Sequence, residues 1–157
     1  MIARIKQVIR DLLLYESSHH KLAVATALAT YIAFSPFFGF HMIMSVVFGW
    51  IFRLNIPFLL AVGAVINNPL TMVPIYSSGY LMGHWLLHGQ MGMPVMEVNP
   101  LWMAPINSFL HTYLGLFDVS FWALMVGGNI LGVVLAVFVY PFVYKMLTSS
   151  SAQGSAW

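Results

Sequence analysis

The chain has 157 residues, of which 61% are hydrophobic and 6% charged, and its mean hydropathy is +0.87. Soluble domains carry about 25% charged residues because a folded surface must be solvated. Six basic and four acidic side chains are too few for such a surface, so we predict an all-α integral membrane protein. The basic residues are too scattered for a nucleic-acid-binding face, and the absence of cysteine excludes disulfides and thiolate ligands.

The N-terminal segment, residues 1–16, places apolar residues at helical spacing and basic residues largely on the other side. This pattern predicts a short amphipathic helix in which Arg4, Lys6 and Arg10 contact the anionic headgroups of the lipid bilayer. A solvated helix packed on the rest of the fold is the alternative. Together with Lys21, these cations place the N-terminus in the cytoplasm by the positive-inside rule.

Residues 22–52 form a long apolar stretch that is interrupted at 35–41. A continuous helix of that length would measure roughly 46 Å, well beyond a hydrocarbon core of about 30 Å. Pro36 lacks an amide donor and disfavours helix at Ser35, while Gly39 tolerates backbone angles that other residues avoid. We therefore expect two half-helices that form a re-entrant hairpin, with a strongly broken crossing helix as the alternative.

A second broken segment, residues 58–88, follows a polar turn at 53–57 and is interrupted by Asn67, Asn68 and Pro69. Both segments therefore share an order of apolar arm, proline-containing break and apolar arm. Paired interrupted segments indicate a transporter-like binding site near the midplane of the bilayer. Backbone unwound at that depth must be satisfied by protein, by polar side chains or by a water-filled cavity.

The C-terminal part contains two further apolar segments, 101–117 and 119–144, which we predict to be transmembrane. Gly128 and Gly132 in the second segment form a GxxxG pair suited to close helix packing. Residues 1–148 are predicted to be a single membrane domain, and the serine-rich residues 149–157 a disordered tail. If both broken segments are re-entrant, all six basic residues lie on the cytoplasmic side; four or more full crossings are the alternative.

Polar residues at the two breaks are the candidates for substrate binding. Asn67 and Asn68 stand inside an apolar run, where unused amide groups are costly, so they either cap the half-helices or contact a substrate. Arg53 either snorkels to the interface or donates to a phosphate or carboxylate. The candidate substrate-binding residues are Ser35, His41, Arg53, Asn67, Asn68, Thr71 and Tyr76.

Metal and catalytic chemistry receive little support from the sequence. His84 and His88 share a helical face and are weak zinc candidates, but Trp85 stands where a HExxH motif has its glutamate. Ligands that could complete such a site are His41, His111, Glu97 and Asp118. The chain has no glycine-rich phosphate loop and no GxSxG motif. We therefore predict no metal, no cofactor and no catalytic residue.

Three runs of sequence, 33–41, 53–57 and 67–76, together resemble a bacterial membrane family, domain of unknown function 2062. Members typically show a Pro-x-x-Gly element, an Arg-x-Asn-x-Pro turn and an Asn-Pro-x-Thr-x-x-Pro-x-Tyr motif followed by a glycine. That glycine would be Gly79 or Gly83 here. The resemblance covers about residues 17–90, with His41 where the family pattern leads us to expect glutamine.

Some relatives in that family are joined to glycosyltransferase-like domains, which implies lipid-linked sugar or envelope chemistry. We therefore expect a multi-pass protein of the bacterial inner membrane that acts as a small transporter or carrier of lipid-linked or small anionic substrates. A scaffold or assembly factor for envelope or glycan biosynthesis, and a membrane enzyme acting on lipid, are the alternatives. A partner in envelope or glycan biosynthesis is implied, and a homo-oligomer is expected because a chain of this length has little bulk to seal a pathway.

Overall fold

The computed structural model describes residues 18–37, 39–87, 99–114 and 119–154, so the predicted amphipathic helix at 1–16 lies outside the described residues. Regular structure in these ranges is entirely helical, which confirms the all-α class. The helices are α1 (His19–Phe34), α2 (His41–Ile51), α3 (Ile56–Ile66), α4 (Pro69–His84), α5 (Ala104–Leu114) and α6 (Phe121–Gly154), with a 3₁₀ turn at Leu101–Met103.

Helix α6 is the one described helix that is long and apolar enough to cross a membrane by itself, over Phe121–Ser150. Helices α3 and α4 meet the same criterion only as a pair, and they are bent by 80° at the break between them. Helix α5 covers 11 described residues, about 16 Å of helix, within the segment predicted at 101–117, of which residues 115–117 lie outside the described residues. Helix α6 continues to Gly154, so residues 149–154 extend it instead of forming the tail that their serine content predicted.

Helix α6 is the central helix of the fold, and α1 packs against it in an antiparallel orientation. The Tyr31 hydroxyl of α1 donates to Oδ1 of Asn129 at 2.9 Å, and His20 Nδ1 lies 2.8 Å from the Tyr140 hydroxyl. The two helices are therefore antiparallel, because residue numbers increase along α1 in the direction in which they decrease along α6. Lys21 follows His20 directly, and Lys145 stands about 1.4 turns beyond Tyr140, so both cations lie towards the same end of this helix pair.

Glycines allow α6 to approach α4 and α1 closely. A Cβ atom on Gly127 would overlap backbone atoms of Gly79 and Gly83 in α4. On the adjacent side of α6, a Cβ on Gly128 would lie 2.7 Å from a carbonyl oxygen of α1, and one on Gly132 would lie 3.1 Å from another. The GxxxG pair thus packs against α1, as small residues do where helix backbones meet.

Helices α2 and α3 pack on the remaining side of α1. Buried Ala25 and Ala29 of α1 contact Leu59 of α3 and Leu54 of the turn before it. The outer face of α2 has no apolar cover within the described chain, and an exposed apolar stripe of this kind marks a surface for lipid or protein. The exposed apolar residues of α2 are Met42, Ile43, Val46, Val47, Trp50 and Ile51.

Candidate functional site

The first break joins α1 to α2 through a short turn. The Phe40 N–H donates to the Phe37 carbonyl at 3.0 Å, and Gly39 has a φ of +79°, as at the third position of a type II turn. His41 Nε2 donates to the Ser35 carbonyl at 3.0 Å. This bond ties the beginning of α2 to the end of α1, so one ring nitrogen of His41 satisfies backbone that the break would leave unpaired.

The second break is held by a reciprocal cap between Asn68 and Thr71. Asn68 Oδ1 accepts from the N–H groups of Leu70 and Thr71 at 2.9 and 3.2 Å, and Thr71 Oγ1 accepts from the Asn68 N–H at 3.0 Å. The Asn68 Nδ2 group donates to the Val65 carbonyl at 2.9 Å. These bonds form a capping box at the beginning of α4, so both side chains are used to build the break.

The Arg-x-Asn-x-Pro turn between α2 and α3 also has a structural explanation. The Leu54 N–H donates to the Gly49 carbonyl at 2.8 Å, and Arg53 has a φ of 52°, the one positive value among described residues other than glycine. This is the Schellman end of a helix, with arginine where glycine is usual. Asn55 then caps α3, because its Oδ1 accepts from the Phe58 N–H at 3.0 Å.

A cavity of about 480 Å³ opens between α1, α2 and α3, and both breaks contribute to its wall. His41 comes from the beginning of α2 after the first break, and Asn67 lies at the second break. Ser45 is the third polar residue of the wall. The other lining residues are Ile32, Ala33, Met42, Leu60, Ala61, Gly63 and Ala64. Apolar walls with a few polar groups, at this volume, are typical of small-molecule sites.

Two buried polar atoms near this cavity have no hydrogen-bond partner within the described chain, Asn67 Oδ1 and Ser35 Oγ. The Asn67 Nδ2 group donates to the Tyr76 hydroxyl over a long 3.5 Å. Ser45 donates to the His41 carbonyl at 2.8 Å. An unpaired buried acceptor costs about 1–3 kcal/mol.

The predicted site residues therefore separate into three groups. His41 and Asn67 line one cavity, and Tyr76 contacts Asn67. Asn68 and Thr71 cap α4, while Ser35 is fully buried at the end of α1. Arg53 is exposed and lines a different cavity of about 440 Å³ at the turn between α2 and α3.

The metal candidates that the structure describes, His41, His84 and His111, do not form a site. The ring of His84 stacks on that of Tyr80 at a centroid distance of 5.9 Å. Among the described residues no group of three or more possible ligands converges on a point. His88, Glu97 and Asp118 lie outside the described residues.

Asparagines outside the two breaks have structural roles that the sequence did not reveal. Asn107 exchanges two hydrogen bonds with Val119, from Nδ2 to the carbonyl at 3.2 Å and from the N–H to Oδ1 at 3.1 Å. Asn99 Oδ1 accepts from the Phe121 N–H at 2.7 Å. These side chains hold the beginning of α6. An asparagine inside an apolar stretch was the available signal, since an unused amide is costly there.

A protein-family model described as "Uncharacterized protein conserved in bacteria (DUF2062)" matches residues 2–154. The match extends over almost the whole chain, beyond the three runs of sequence in 17–90 that carried the resemblance. No curated protein and no solved structure shows significant similarity to the chain. The chain therefore belongs to the bacterial family DUF2062, whose members are uncharacterised.

Proposed function

We propose that this protein is a multi-pass protein of the bacterial inner membrane that binds and carries an amphipathic, lipid-linked ligand in the cavity between its two breaks. One observation carries the proposal: His41 and Asn67, which come from separate breaks, line the same cavity of about 480 Å³. The remaining wall is mostly apolar, so it suits a hydrocarbon chain, while the polar residues suit a headgroup. Arg53, the residue expected to bind an anion, lines another cavity.

Three features support a position in the membrane. Helix α6 contains a 30-residue span that is apolar enough to cross a membrane, and α2 exposes an apolar face. Lys21 and Lys145 lie towards one end of the α1–α6 pair, as the positive-inside rule requires for two cytoplasmic residues. The 80° bend between α3 and α4 is compatible with a broken span or with a re-entrant loop. The close approach of Gly83 to Ala123 favours the broken span, because it places the end of α4 beside the beginning of α6, away from Lys145.

Labelling of introduced cysteines tests this topology. The chain has no cysteine of its own, so each introduced cysteine is the one site in the protein that the reagent can label. We expect a membrane-impermeant maleimide to label Ser120→Cys in cells with a permeabilised outer membrane. Phe52→Cys and Lys145→Cys should be labelled only after the inner membrane is opened. Labelling of Lys145→Cys before that step would contradict the proposed orientation.

Binding of a labelled prenol such as farnesol, measured with purified protein in detergent, tests the site. The Gly63→Leu variant should lose at least tenfold in affinity, because a Cβ at Gly63 meets no atom within 4 Å and the added side chain would fill the cavity. Val65→Leu is the matched control, since Val65 is exposed on the same helix and does not line the cavity. The absence of saturable farnesol binding by the unmodified protein would overturn the proposed function.

A scaffold or assembly factor is the second candidate function. It is favoured by the capping box of Asn68 and Thr71 and by the Arg53 turn, because these polar residues shape the helices. A scaffold would retain its activity in cells when Gly63→Leu fills the cavity, whereas a carrier would lose it. The described residues offer no observation that favours the lipid-acting enzyme.

A further inference from the structure

We infer that helix α5 is a membrane-binding surface that lies flat in the outer leaflet of the bilayer. One face of the helix is immersed among the acyl chains, and the opposite face is in water. This inference rests on the proposed position of the protein in the membrane. It differs from the crossing that the sequence predicted over 101–117.

The end of α4 and the beginning of α6 lie at the same end of the fold. A Cβ atom on Gly83, next to the last residue of α4, would overlap the carbonyl of Ala123 near the beginning of α6. In the proposed orientation this is the side of the membrane away from Lys145, so only an even number of crossings can separate the two helices. Helix α5 has 11 residues, about 16 Å, and is too short for a hydrocarbon core of about 30 Å.

Three side chains hold the segment that contains α5 against the beginning of α6. Asn107 exchanges two hydrogen bonds with the backbone of Val119, and Asn99 Oδ1 accepts from the Phe121 N–H at 2.7 Å. The Trp102 ring packs edge-on against the Phe121 ring, with the centroids 5.0 Å apart. Because Phe121 begins the span of α6, these contacts place the segment where the hydrocarbon core begins. Aromatic side chains are enriched at that level of membrane proteins.

One face of α5 is an apolar stripe formed by Ile106, Phe109 and Tyr113, which we call the α5 stripe. The three residues recur at helical spacing, and each is exposed, Tyr113 at 73%. The rings of Phe109 and Tyr113 contact each other at a centroid distance of 4.9 Å, which makes the stripe continuous. No described part of the chain covers it.

The opposite face of α5 is polar. Ser108, His111 and Thr112 are exposed there, and they line a cavity of about 550 Å³ together with Asn99 and Asn107. A short helix with an apolar stripe and a polar opposite face satisfies both when it lies in the plane of the interface. A crossing orientation would instead bring the polar face into the hydrocarbon core.

The chemistry of the α5 stripe favours lipid as its partner. Residues 99–114 contain no lysine, arginine, aspartate or glutamate, so attraction to charged headgroups does not contribute. Three exposed side chains also offer less by themselves than the surface of about 800 Å² per partner that a stable protein interface buries. Burial of apolar side chains among acyl chains is the remaining driving force, and uncharged lipid is sufficient for it.

Nitroxide labels on introduced cysteines test this arrangement in the full-length protein, reconstituted in vesicles of phosphatidylcholine alone. Power saturation of the electron paramagnetic resonance signal measures the access of oxygen, which concentrates in lipid, and of a nickel chelate, which stays in water. We expect labels at Ile106→Cys, Phe109→Cys and Tyr113→Cys to favour oxygen, and labels at Ser108→Cys and His111→Cys to favour nickel. Because these positions are exposed, helical circular dichroism should be unchanged.

The depth of the labels separates a flat helix from a crossing one. Positions 106 and 113 lie about 10 Å apart along the helix, yet both labels should reach the same depth, about 5–10 Å into the boundary between headgroups and acyl chains. A difference in depth of about 10 Å between them would overturn the inference. Labels on the α5 stripe that favour nickel would also overturn it, because the stripe would then face water.

Two further results distinguish failure of this inference from failure of the proposed function. Labels on the α5 stripe that are shielded from both reagents would overturn the inference, because a protein surface, such as a second copy of the chain, would then cover the stripe. Val133→Cys is the reference, since Val133 is exposed within the span of α6 and its label should favour oxygen. A reference label that favours nickel would overturn the membrane position itself. An oxygen-accessible reference with a failed stripe would overturn this inference alone.

Discussion

The interface between α6 and α4 and the cavity between α1, α2 and α3 use small residues for opposite purposes. A Cβ atom on Gly127 would overlap the backbone of Gly79 and Gly83, whereas one on Gly63 would meet no atom within 4 Å. At the interface between α6 and α4, glycine allows the two helix backbones to touch. In the cavity, Gly63 leaves space that a larger side chain would fill. A glycine in an apolar helix therefore indicates close packing only where another backbone faces it.

The largest effect is expected from Gly127→Ala. Because the new methyl group would overlap backbone that cannot simply change rotamer, we expect a loss of about 3 kcal/mol in the free energy of unfolding. Titration of micellar protein with sodium dodecyl sulfate, followed by circular dichroism, measures this quantity. Gly63→Ala is the control and should stabilise by up to about 1 kcal/mol through helix propensity. A similar loss in both variants would contradict the contrast between the two regions.

The polar contact between α1 and α6 should give the next largest effect. Asn129→Leu leaves the Tyr31 hydroxyl without its acceptor, so we expect a loss of about 2 kcal/mol in unfolding free energy. Tyr31→Phe and the double variant complete a mutant cycle, in which the coupling energy should be about 1 kcal/mol. Additive effects in the same unfolding titration would show that the two side chains do not interact.

The capping box at the second break should contribute less. Thr71→Val removes the oxygen that accepts from the Asn68 N–H, and we expect a loss of about 1 kcal/mol. The matched control is Thr148→Val, because the Thr148 hydroxyl bonds only carbonyls of its own helix near the end of α6. If the two variants unfold at the same detergent fraction, the cap does not stabilise the break.

The smallest expected effect has the opposite sign. Arg53→Gly should stabilise the protein by about 0.5–1 kcal/mol, since glycine adopts a positive φ without steric cost. Arg53→Ala keeps the unfavourable φ and so should not stabilise. If Arg53→Gly destabilises the protein in the unfolding titration, the guanidinium makes contacts that outweigh the backbone strain.

The sequence predicted both breaks correctly because their causes are local. Pro36, Gly39 and Asn68 fix the backbone within a few residues of themselves, and the described helices end where these residues stand. The same local information could not distinguish a cap from a binding residue. Asn67 and Asn68 are neighbours of identical chemistry, yet one is used by the backbone and the other keeps an unpaired oxygen.

The tertiary contacts could not be predicted from the sequence, because they depend on packing between segments that are distant in the chain. His41 and Asn67 line the same cavity because of the way α2 and α3 pack against α1. The pairing of Tyr31 with Asn129, and the separation of Arg53 from the cavity, are likewise consequences of tertiary structure. Serine content was also a poor guide at the C-terminus, where helical hydrogen bonding continues to Gly154.

The central claim is that the two breaks enclose one binding cavity, and photocrosslinking with a diazirine analogue of farnesol tests it most directly. After irradiation, mass spectrometry should locate adducts on both sides of the cavity, at Ser45 of α2 and at Leu60 of α3. Excess unlabelled farnesol should remove these adducts. Adducts confined to outward-facing residues such as Val47 or Phe138, and unaffected by unlabelled farnesol, would contradict the account.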